Sequence, residues 1–102
     1  MYVSRLNFHT RPGRTREVEE RLKELAQMVG SAGGSNPRVL RSHFASLGAP
    51  DLVFEEEAPD IGTLERQMSD VTDKKEFQEW SRGTSGLLAE SPKREIYIVI
   101  DS

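Results

Sequence analysis

The order of periodicities in this chain predicts an α+β fold of the βαββαβ type. Three observations carry the prediction. The chain opens with a period-two stretch, Tyr2-Val3-Ser4-Arg5-Leu6-Asn7-Phe8-His9, which suits a strand because side chains alternate along it. It turns at Arg11-Pro12-Gly13 and then places Val18, Leu22, Leu25 and Val29 at helical spacing. Two strand-like runs, a second helical region and a closing apolar run, Glu95-Ile96-Tyr97-Ile98-Val99-Ile100, complete the order. The leading small fold with this order is ferredoxin-like: a four-stranded antiparallel sheet in the order 4-1-3-2, with the helices on one face.

The first strand is expected over residues 2–9, with Leu6 and Phe8 on one face and Arg5, Asn7 and His9 on the other. The first helix is expected over 15–29, with a solvated outer face of Arg16, Glu17, Glu20, Lys23, Glu24 and Gln27 and with Gly30 as its C-cap. The segment 31–37 is rich in glycine, yet it follows a helix and lacks the Gly-Lys-Ser/Thr ending of a phosphate loop, so it reads as a connector. The second and third strands are expected over 38–47 and 52–57, joined by a hairpin loop at Gly48-Ala49-Pro50-Asp51. Pro59-Asp60 opens the second helical region, with Ile61, Leu64, Met68 and Val71 on one face. Asp73 and Glu76 have capping-box spacing for a further helix carrying Phe77 and Trp80, and Ser91-Pro92 ends it. The last strand is apolar on both faces and is expected to be buried on both sides.

At 102 residues the chain is expected to form one domain over 1–102. A net charge of -3 with no basic stripe argues against a nucleic-acid partner. The absence of cysteine excludes thiol catalysis, disulfides and thiolate metal sites. No secretory leader and no apolar run of spanning length is visible, so a cytoplasmic protein with no membrane partner is the expectation.

Two features point to a partner and a site. A lone ferredoxin-like domain leaves one sheet face open, yet the last strand is apolar on both faces. A second copy related by a two-fold axis is the simplest cover, giving a homodimer whose sheets close into an α+β barrel. Polar and charged residues also recur on shared faces: Arg5, Asn7 and His9; Arg41 and His43; Glu55 and Glu57. If those faces coincide, the row is either a structural ion-pair network or the polar lining of a ligand pocket. A metal site at His43 with Glu55 or Glu57 lacks diagnostic spacing, and no metal is expected.

The strand ending in Phe8-His9, the Arg11-Pro12-Gly13-Arg14 turn, the acidic helix after it, Phe77-Gln78-Glu79-Trp80 and the closing 91–97 segment resemble the dimeric α+β barrel proteins. That superfamily includes antibiotic-biosynthesis-type monooxygenases, haem-degrading monooxygenases and NIPSNAP-like proteins. The haem-degrading branch places an Asn on the first strand, a Trp on the later helix and an iron-ligating His beyond it. Asn7 and Trp80 match, but the His position holds Glu90, which argues against haem.

The cofactor-independent branch oxidises phenolic polycycles in a pocket between sheet and helices, with no cofactor. The resemblance implies that Asn7 and Trp80, with Phe77 beside it, line such a pocket around an aromatic ligand. By chemistry, His43 or His9 is the candidate proton acceptor, and Arg5 or Arg41 the candidate partner of developing negative charge. The competing reading is a non-enzymatic dimerisation or interaction domain. An enzyme needs a cavity of a few hundred cubic ångström near Trp80, whereas an interaction domain is packed solid there.

Overall fold

The computed structural model describes residues 1–101. The elements follow the expected order: β1 (Tyr2–Phe8), α1 (Thr15–Ser31), β2 (Ser35–Arg41), β3 (Leu52–Ala58), α2 (Ile61–Thr72), α3 (Lys75–Ser85) and β4 (Lys93–Ile98). The strands form one antiparallel sheet in the order β2-β3-β1-β4, the ferredoxin-like arrangement. Helices lie over β1, β2 and β3 on one face.

Alternation decides what each strand buries. Ser4 and Phe8 on β1 and Leu52, Phe54 and Glu56 on β3 are buried beneath the helices. α1 adds Val18, Leu22, Leu25 and Val29, the stripe its spacing predicts. Leu64 and Val71 of α2 and Trp80 of α3 are also buried on this side. The opposite face carries Arg5 paired across to Glu55 on β3 and to Glu95 on β4.

Four expectations need correction. α1 runs through Gly30 to Ser31, and its cap is Ala32. Gly33 takes φ +90°, its N–H donates to the Gly30 carbonyl, and the Gly34 N–H donates to the Val29 carbonyl. This is the Schellman arrangement, so the glycine that ends the helix is three residues later than expected. α3 has no capping box: Asp73 is the C-cap of α2, and Lys74 caps α3 without a side-chain bond.

β2 is shifted toward the N-terminus. It begins at Ser35, passes an irregularity between Ser35 and Arg38 with Asn36 at φ +50°, and stops at Arg41. As an edge strand it pairs only with β3, which begins at Leu52. The preceding Asp51 N–H donates to the Phe8 carbonyl. The segment 42–51 therefore projects as a loop, with Phe44 93% exposed.

β4 is not buried on both sides. All six of its residues are exposed, because the topology puts it at the sheet edge and no helix covers it.

Candidate functional site

The charged row predicted from the sequence forms on the open sheet face, with altered membership. Arg5 Nε donates to Glu55 Oε2 at 2.7 Å, and Arg38 donates to Glu55 Oε1. Arg38 also lies 3.9 Å from Glu57. The Arg5 guanidinium stacks over the Tyr97 ring at 5.4 Å. Asn7 Nδ2 donates to Glu95 Oε1 at 2.6 Å, and hydrogen bonding with Glu95 holds the Tyr97 hydroxyl above its ordinary pKa. Ion pairs join β1, β2 and β3, and a cation–π contact and a hydrogen bond extend the network to β4.

Arg41, His43 and His9 stand apart from it. Arg41 sits opposite Leu52 and so projects to the helix side, where it pairs with Glu19 of α1 at 2.7 Å. His43 lies in the 42–51 loop, edge-on to Phe44. His9 follows β1; its Nδ1 lies 2.8 Å from Glu90 and its Nε2 3.1 Å from the Gly48 carbonyl oxygen. Glu90, ten residues after Trp80, is thus engaged with His9 and lies 3.9 Å from Lys93. Among the described residues no cluster of His, Cys, Asp or Glu could hold a metal ion.

Trp80 and Asn7 do not share a cavity. Asn7 faces the open side, whereas Trp80 lies in the helical layer, and its indole N–H donates to the Arg21 carbonyl at 2.7 Å. Nearby, a β-carbon at Gly83 would stand 3.3 Å from the Arg21 guanidinium, the mobile end of a long side chain. The space beside Trp80 is an open groove of about 510 Å³ between α1 and α3, lined by charged residues such as Arg21, Glu24, Lys74 and Glu79. Its volume meets the expectation near Trp80, but its charged, open walls do not make an apolar pocket.

A smaller and more apolar pocket lies on the other side of Phe77, which stacks on Trp80 at 5.5 Å. Leu6, Phe54, Glu56 and Arg94 form its floor on the sheet. Leu25 and Val29 of α1, Met68 and Val71 of α2 and Phe77 of α3 form walls and roof. The cavity has about 40 Å³ of free space, which is room for water.

Glu56 gives the cavity its chemistry. It is 4% exposed, and its Oε2 has no hydrogen-bond partner. Burial pushes its carboxyl above the usual range, and the field of Arg94 opposes the shift only in part. Arg94 makes no ion-pair contact with it; its guanidinium reaches inward along the edge strand and donates to Ser4 Oγ at 2.6 Å. Burial lowers the Arg94 pKa, with Glu56 opposing. An unpartnered buried carboxylate oxygen beside a cation, in apolar walls, suits proton acceptance from a ligand.

Glu56 and Arg94 are the residues that the sequence reading missed. The alternation in Glu55-Glu56-Glu57 does turn Glu56 away from its neighbours, and that was the available signal. The inward reach of Arg94 from an exposed strand leaves no such mark.

No family model matches the sequence, and no curated protein matches it. Solved structures do. A candidate antibiotic biosynthesis monooxygenase from Nitrosomonas europaea superposes with TM-score 0.72 at 17% identity, covering 99% of this chain and 100% of that one. One from Bordetella bronchiseptica gives 0.69 at 21% identity, over 97% and 96% of the two chains. An uncharacterised NIPSNAP domain protein from Burkholderia xenovorans gives 0.72 at 12% identity, over 97% and 94%. At these identities the likeness establishes architecture: the chain has the ferredoxin-like fold of the antibiotic-biosynthesis-monooxygenase-like and NIPSNAP-domain proteins, as the resemblance in its sequence implied.

Proposed function

We propose that this chain is a cytoplasmic homodimeric α+β barrel protein that binds an aromatic, phenol-type molecule between its helices and its sheet. There it acts as a cofactor-independent monooxygenase. The carrying observation is the small apolar pocket over the buried, unpartnered Glu56 carboxylate. Apolar walls with a few polar groups are the usual form of a small-molecule site. In such a reaction the ionised substrate itself reduces dioxygen. One oxygen atom enters the product, the other leaves as water, and all the electrons come from the substrate.

The present cavity is smaller than a bicyclic ligand, so binding displaces the roof. Met68 is flexible and suits that role. Phe77 would move with it and disturb its stacking on Trp80. The test is a titration with polycyclic phenols, with haemin as a comparison, read by Trp80 fluorescence and dissolved oxygen. Saturable quenching by a phenol, with oxygen uptake in the absence of added metal or flavin, is expected. Flat traces across the panel contradict the reading.

The small cavity favours a second reading, a dimerisation module without turnover. In that case the dimer forms as described below, and no phenol binds.

A further inference from the structure

We infer that Glu56 is the proton acceptor of the cavity and that its substrates are carbon or oxygen acids whose conjugate base carries its charge on an oxygen facing Arg94. This rests on the ligand-binding reading above and assigns its chemistry. His9 has both ring nitrogens engaged, and His43 lies on the projecting loop. Gln67 Oε1 is also buried and unpartnered, but an amide oxygen is a poor base and Gln67 does not line the cavity, so Glu56 is the titratable group there with a free lone pair. Its Oε2 is buried, lacks a partner and belongs to the cavity floor.

The surroundings hold it in place. Glu56 is held on a central strand, opposite Ser4 of β1. Gly34 packs so closely that a β-carbon there would stand 3.3 Å from Glu56 Oε2 and 2.3 Å from Val29 Cγ1. The missing side chain at Gly34 is thus what leaves space for Glu56 Oε2. Among the cavity-lining residues, Arg94 is the one other charged group; α1, α2 and α3 present only apolar side chains and Thr72.

For an enolisable aromatic ketone, the step breaks the C–H bond next to the carbonyl and forms an O–H bond at Glu56 Oε2. The electron pair moves into the ring-conjugated enolate and places charge on the carbonyl oxygen. The Arg94 guanidinium offsets that charge. For a phenol, the O–H bond breaks and the pair stays on oxygen. Neither step needs dioxygen, metal or cofactor.

This permits a test independent of oxygenase activity. The probe is 2-tetralone in deuterated buffer under nitrogen, with loss of its benzylic C1 proton signal followed by NMR. The wild-type protein is expected to accelerate exchange over buffer, with a rate that rises with pH as Glu56 ionises. Glu56→Gln, checked for native circular dichroism, is expected to lose about 10²-fold or more of the acceleration. Glu56→Asp should retain part of it, and Arg94→Gln should slow exchange with 2-tetralone still bound. Unaltered exchange in Glu56→Gln overturns the assignment, as does wild-type exchange no faster than buffer. Exchange without oxygen uptake on any phenol leaves Glu56 assigned and removes the monooxygenase reading. Oxygen uptake that survives in Glu56→Gln does the reverse.

Discussion

Glu56 is a carboxylate that the fold holds at a cost. Its folded pKa lies above the unfolded value because burial outweighs the attraction of Arg94. Between those two values the folded state binds more protons than the unfolded state, so stability falls as pH rises through that window. Glu56→Gln removes the penalty. The variant is expected to melt at or above the wild-type temperature at neutral pH, with the gap closing as pH falls toward about 4.3, the ordinary glutamate value. Thermal melts across pH check this, and a variant less stable at every pH contradicts it. Trp80 works through its polar edge. Trp80→Phe removes the second hydrogen bond on the Arg21 carbonyl, a mid-helix group that keeps its bond within α1, and is expected to lower stability by roughly 0.5–1.5 kcal/mol in denaturant unfolding. The network around Glu55 was readable from alternating charges, because period two fixes which residues share a face. Which arginine completes it was not, because a side chain at the edge of a sheet chooses among partners that only the register brings close.

At the scale of elements, long periodic segments were legible and their ends were not. The stripe on α1 needs only helical spacing, and it is buried as predicted. Its end depends on which of several glycines adopts positive φ, a choice settled by the two bonds of the Schellman turn at Gly33 and Gly34. Gly33→Ala, forced to hold φ +90°, is expected to cost about 1–2 kcal/mol. Gly34→Ala drives a methyl against Val29 and is expected to cost about 1–3 kcal/mol. Chemical denaturation of each measures the loss, and wild-type stability in both would contradict the turn described. β2 was misplaced for a different reason. The run up to Leu47 holds no breaker before Gly48, but a strand exists only as far as its neighbour does, and β3 begins at Leu52.

At the scale of the whole molecule, the exposed edge is the unresolved surface. Ile96, Tyr97 and Ile98 of β4 are 43%, 45% and 59% exposed, and Ile100 beyond them is 90% exposed. A strand of this composition with a free edge invites pairing or cover. The proposed dimer, closing over the open sheet face, covers Tyr97 opposite Val3, while Ile96 and Ile98, opposite Ser4 and Tyr2, lie on the helix side of the same edge. Sedimentation at micromolar concentration is expected to give twice the chain mass of 11.5 kDa. The double variant Val3→Lys with Tyr97→Lys, a pair that faces each other on the open side of the sheet, is expected to shift it to monomer without loss of helix content. A wild-type monomer would remove the dimer. No helix among the described residues is long and apolar enough to cross a membrane. The overall topology was legible because element order and sheet order are tightly linked in small α+β folds. The cavity was not legible, because it forms where three helices and three strands meet and no short motif encodes it.

The most direct measurement is amide chemical-shift mapping with 1-naphthol, because it asks where a phenol binds before asking what happens to it. Saturable shifts centred on Leu6, Phe54, Glu56, Met68 and Phe77 are the predicted result. Shifts confined to the outer groove at Arg21, Glu24 and Lys74, or none at saturating ligand, would contradict a binding site between the helices and the sheet.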